Sequence, residues 1–86
     1  MIYAVSILPA ASKELGSLPT GAYERVRDAI RALSNDPRPP GCRKLSGYDL
    51  WRVRLGVYRV LYRIDDAARL VEVARAGHRR EIYRRR

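Results

Sequence analysis

A chain of 86 residues with 47% hydrophobic side chains and no repeat reads as one folded domain, residues 1–86, with a single small core and its functional groups at the surface. One cysteine, Cys42, and one histidine, His78, exclude an internal disulfide and an ordinary zinc set, and no apolar run approaches the roughly 18 residues of a membrane span. The formal net charge of +9 is lopsided: residues 1–36 carry four basic and four acidic side chains, whereas residues 37–86 carry 14 basic and 5 acidic ones, which points to a polyanionic partner, nucleic acid first.

The start, MIYAVSILPAASKEL, lacks the basic opening and long apolar stretch of an export signal, so a cytoplasmic protein away from membranes is expected. Residues 2–8 (IYAVSIL) are rich in β-branched and aromatic side chains and predict a strand. Pro9 closes that strand and suits the first turn of a helix, with Ala11, Leu15 and Leu18 on one face, ending near Gly16 to Pro19. Ala22, Val26, Ala29, Ile30 and Leu33 then alternate with charged residues in the pattern of an amphipathic helix of about four turns. The run NDPRPPG (35–41) stops it, and the stretch that follows reads as a loop.

Three strands are predicted next, over about 48–55, 57–65 and 69–76, joined by tight connections. Gly56-Val57 suits a two-residue type II′ turn, which fixes the pairing of the first two so that Val53 lies opposite Val60 and Arg54 opposite Arg59. Alternation then puts Trp51, Val53, Leu55, Tyr58, Val60 and Tyr62 on a core face, and Arg52, Arg54, Arg59, Leu61 and Arg63 on the other. Like charges directly opposite one another cost a sheet roughly a few tenths of a kcal/mol per pair. Arginines held there without nearby acids suit a ligand bearing several negative charges, although their stems also cover apolar surface on a solvated sheet. Leu61 stands among them as an apolar contact for a partner segment.

The stretch LSNDPRPPGCRKLSGYDLWRVRLGVYRVLYRIDD and the later VEVARAGHRREIYRR together resemble the RelE toxins of the RelE/ParE toxin–antitoxin superfamily, nearly end to end. The resemblance implies an α+β fold of order β-α-α-β-β-β. In it an antiparallel sheet, mixed at its edge, packs against two N-terminal helices, with a short C-terminal helix after the last strand. It also implies a ribosome-dependent mRNA endoribonuclease acting in the A site without metal or other cofactor. There a 2′-hydroxyl attacks the adjacent phosphate, and a cognate RelB-like antitoxin silences the protein. Carried over by motif, the active site is Arg52 and Arg54 of WRVR, Arg59 of VYR, Arg79 of GHR and Tyr83 of EIY. Arg43, Lys44 and Arg63 are RNA-backbone candidates, and Arg84 to Arg86 add attraction at the tail.

Guanidinium groups suit phosphate through bidentate, charge-assisted contacts, but they do not lose a proton and cannot serve as base. Some relatives carry lysines where this chain has Arg52 and Arg54. That leaves Tyr83 as first candidate for general base and His78, either catalytic or simply exposed at a strand end, as second. Two other readings stand beside the nuclease: a ParE-like toxin that poisons DNA gyrase without cutting RNA, and a nucleic-acid-binding module that does no chemistry.

Overall fold

The first strand, β1 (Ala4–Ile7), gives way to helix α1 (Pro9–Gly16) across Leu8, whose extended backbone leaves Pro9 at the first helical position. Proline's missing N–H is no loss there. A computed structural model describes residues 2–78. The expected C-terminal helix and the candidates Arg79, Tyr83 and Arg84 to Arg86 lie outside those residues. Helix α1 buries Ala11 and Leu15, and α2 (Thr20–Ala32) buries Val26 and Ile30. The spacing of four in each is the signature of one buried helical stripe.

The sheet contains β2 (Arg43–Lys44), β3 (Trp51–Leu55), β4 (Tyr58–Asp65) and β5 (Leu70–His78), in the order β1-β5-β4-β3-β2. β1 runs parallel to β5, and every other pair is antiparallel. The expected fold class therefore holds: two helices on a sheet that is mixed at one edge. Helix residues Ala11, Leu15, Val26 and Ile30, with Leu33 just past α2, close over Val60, Tyr62, Val71, Val73 and Ala76 to form the core. No helix among the described residues is long and apolar enough to cross a membrane.

The β3–β4 register is the expected one, with Val53 opposite Val60 and Arg54 opposite Arg59. Gly56 takes φ +65 while Val57 is not among the positive-φ residues, as a turn with glycine in the first central place requires. Three features differ from the sequence reading. The strand expected from residue 48 starts at Trp51, because Leu45 N–H bonds the Leu50 carbonyl and Gly47 turns at φ +79, which loops out the residues between. The stretch read as a loop contains β2, paired through Arg43 to Arg52 and Lys44 to Trp51. And β5 carries a bulge: Tyr62 faces Val73 but Leu61 faces Arg75, so Ala74 has no opposite number.

The segment between α2 and β2 is held by three anchors. The Tyr62 hydroxyl, fully buried, donates to the Pro37 carbonyl at 2.7 Å, and burial pushes its phenol pKa well up, so it remains a neutral donor. Arg38 makes a forked contact with Asp66 at 3.3 and 2.9 Å and lies 5.0 Å over the Trp51 ring. Tyr3 donates to the same carboxylate at 2.6 Å. First the Arg38 hydrogen bond and then that of Tyr3 hold the Asp66 carboxyl below its ordinary range, while the Asp66 acceptor keeps the Tyr3 phenol up.

Removing only the buried hydroxyl with Tyr62→Phe strands the Pro37 carbonyl. This should lower the unfolding free energy by about 1–2 kcal/mol, seen as a lower urea midpoint at unchanged slope. The Asp66 clasp works in the opposite pH sense to a histidine. Its contribution is fully present above the ordinary carboxylate pKa near 4 and is lost as pH falls through the lowered folded value. The urea midpoint of the wild type should therefore drop more steeply below about pH 4 than that of Asp66→Asn.

Candidate functional site

Directly opposite residues in an antiparallel pair project to the same side, so the register lays out the arginine face row by row. One row crosses the sheet through Arg43, Arg52, Leu61 and Arg75, and the next through Arg54, Arg59 and Gly77. The two rows are two residues apart along β3 and β4, about 6–7 Å. Arg43, Arg52, Arg54 and Arg59 thus share one side, where a phosphate could be reached from more than one strand.

The burial of these residues is uneven. Arg59 is only 6% exposed, whereas Arg54 and Arg43 are open to solvent and Arg52 is intermediate. The Nε of Arg52 is buried and has no hydrogen-bond partner among the described residues. Neither Arg43 nor Arg52 forms an ion pair among them. A guanidinium N–H turned away from water without an acceptor is a standing cost that an incoming phosphate oxygen would remove.

Other candidates fall elsewhere. Lys44 lies opposite Trp51 and so belongs to the helix-bearing side, 5.9 Å from the Trp51 ring and 3.8 Å from Asp49. Arg63 is on the arginine side but faces Glu72, with their charged atoms 4.0 Å apart. It borders a depression of about 360 Å³ lined also by Asp49, Asp65, Asp66 and Glu72, where acids would repel phosphate. His78 pairs with Tyr58 across β4 and β5, its ring edge-on at 6.0 Å, which puts it on the core-facing side rather than with Arg54 and Arg59. Leu61, expected as an open apolar contact, is 5% exposed and stands apart from the main core. In its row it sits between Arg52 and Arg75, whose long stems flank it.

Arg75 was not singled out by the sequence. It is clasped by Glu14 of α1, whose carboxylate accepts from Nε at 3.0 and 2.9 Å, from Nη2, and from the Ala76 N–H at 3.0 Å. A signal was present, since Val71 and Val73 alternate strictly, Arg75 then falls where a core residue is due, and Ala76 is buried in its place.

A two-helix, five-stranded fold with several arginines on one sheet face defines a small α+β protein with a cationic face, and sequence comparison narrows that class. The family model described as ParE toxin of type II toxin-antitoxin system, parDE, matches residues 5–83. The toxin RelG of Mycobacterium tuberculosis is 38% identical over 89 residues, covering 99% of this chain and all of that protein. Among solved structures, the archaeal RelE–RelB complex of Pyrococcus horikoshii matches at TM-score 0.80 and 33% identity, over 92% of this chain and 97% of that one. The RelBE2 toxin–antitoxin complex of M. tuberculosis matches at TM-score 0.78 and 30% identity, over 91% and 99%. The chain belongs to the ParE toxin family within the RelE/ParE superfamily, and is a toxin of a type II toxin–antitoxin system.

If the arginine rows hold phosphates, Arg52→Ala and Arg54→Ala should each weaken binding of a labelled single-stranded RNA. Each should also reduce the slope of log affinity against log salt by about one. Arg27→Ala on α2, where the side chain pairs with Asp28 at 3.1 Å, should leave both unchanged. Fluorescence anisotropy across a salt series reads the difference.

Proposed function

We propose that this toxin is a metal-independent mRNA endoribonuclease that acts in the ribosomal A site and is neutralised in the cytoplasm by a RelB-like antitoxin. The observation that carries the reading is the single face shared by Arg52, Arg54 and Arg59, with the buried Arg52 Nε lacking an acceptor among the described residues. The antitoxin half draws on the relatives, which were solved as RelE–RelB complexes.

In the proposed reaction the 2′-oxygen of one nucleotide attacks the neighbouring phosphorus. The bond from phosphorus to the 5′-oxygen breaks, leaving a 2′,3′-cyclic phosphate and a free 5′-hydroxyl. Negative charge grows on the nonbridging oxygens, and guanidinium forks from two strands suit it by charge and hydrogen-bonding shape. Arg59, being mostly buried, acts from the drier side of the face, where such an interaction is strongest. None of the arginines can take the 2′-proton. In this reading Tyr83, the tyrosine carried over from the RelE resemblance, takes that proton and it is passed on to the departing 5′-oxygen, with Arg79 assigned to the phosphate clamp. Arg43 steers RNA backbone from the margin, whereas Arg63, facing Glu72, does not. Lys44 contributes only to the general field.

Incubating the pure protein with mRNA, with and without programmed ribosomes, and mapping 5′ ends tests the proposal. Cuts confined to A-site codons are expected, and Arg59→Ala should slow them by about a hundredfold or more. The ParE family match supports a second reading, a toxin that inhibits gyrase and cuts no RNA. Loss of supercoiling activity with intact mRNA in the same experiment would favour it.

A further inference from the structure

We propose that Glu14 is a positioning residue for the cleavage chemistry, clamping the bulge of β5 so that the end of that strand, Gly77 and His78, is presented in one register beside Arg59 and Tyr58. The inference rests on the nuclease reading and concerns a residue of α1 that meets one arginine row only at its end, through Arg75.

β1 covers only the first part of β5: its last pair is Ile7 with Val73, and the final bond along it runs from Leu8 N–H to the Val73 carbonyl at 2.9 Å. The bulge follows at once, at Ala74. Past that point β1 no longer supports the outer edge of β5, and an edge strand next to an extra residue is where register slips most easily. Glu14 occupies this place. Its two oxygens take the Ala76 N–H and the Arg75 guanidinium, and both side chains are about three-quarters buried, at 24% and 23% exposure. The helix that carries Glu14 is itself fixed by Ala11 and Leu15 in the core.

The register that this clamp maintains decides what stands beside Arg59. With the bulge, Val60 faces Ala76 and Arg59 faces Gly77. Were Ala74 drawn into the ladder, the Tyr62–Val73 register would continue, placing Ala76 opposite Arg59 and Gly77 opposite Tyr58. The Ala76 methyl, fully buried now, would leave the core for the charged face, and the Arg75 stem would turn toward the core. Gly77 opposite Arg59 adds no side chain to that row. A slip of one residue would put a methyl group there instead.

The test compares full-length wild type, Glu14→Gln and Glu14→Ala in the ribosome assay and by NMR. Glu14→Ala should keep KM for programmed ribosomes within about twofold and lower kcat by about tenfold to a hundredfold. Glu14→Gln, which keeps an oxygen for the Ala76 N–H, should restore most of that loss. In Glu14→Ala the Ala76 amide should exchange about tenfold faster or more, and the His78 ring protons should lose the shift caused by Tyr58. A folded Glu14→Ala protein that cuts at the wild-type rate overturns the positioning role, as does a fall in kcat with Ala76 exchange and His78 shifts unchanged. Wild type that cuts no RNA overturns the nuclease reading and this role together, whereas wild type that cuts beside an equally active Glu14→Ala sinks this role alone.

Discussion

The pairing of β3 with β4 governs most of what this protein can do. A two-residue connection with Gly56 at positive φ leaves no freedom in register, and once Arg54 is opposite Arg59 every other side chain on both strands has its side assigned. The apolar set meets the helices. The arginines take the other face, with Arg54 directly opposite Arg59. Because a one-residue shift would carry the core set outward, the hydrophobic face enforces the position of the charged one.

β4 is the strand on which the two faces compete most closely. Val60 and Tyr62 are fully buried on one side, while Arg59 and Leu61 are 6% and 5% exposed on the other. A strand sealed on both sides ordinarily reads as a continuous apolar run; here one of the sealed positions is a guanidinium. The arginine face is therefore graded, with Arg43 and Arg54 open to water, Arg52 intermediate and Arg59 sunk beneath it. Such grading suits capture by outer charges followed by tight contact at inner ones.

Much of this was legible in the sequence because it depends on short-range rules. The turn at Gly56, the helix start at Pro9 and the alternation from Trp51 to Arg63 are local, and the structure has them in place. What escaped depends on contacts distant in the chain. Nothing in the residues 34–50 announces that Tyr62 and Asp66 will hold the segment, which is why β2 was read as loop and Lys44 was grouped with Arg43. The bulge at Ala74 changes the face of residues 75–78, and so moved His78, a catalytic candidate because imidazole titrates near neutral pH, to the Tyr58 side. Glu14 and Arg75 are 61 positions apart, and only the fold brings them together.

The Arg38 clasp has one more consequence. Trp51 is the only tryptophan, and its indole has Arg38 at 5.0 Å and Lys44 at 5.9 Å from the ring centre. Its emission is therefore tied to the segment between α2 and β3 rather than to the helices, since the fixed charges around an indole shape its excited state. The molecule carries a natural optical reporter beside the segment that Arg38 anchors, one that could register movement of that segment without any attached dye.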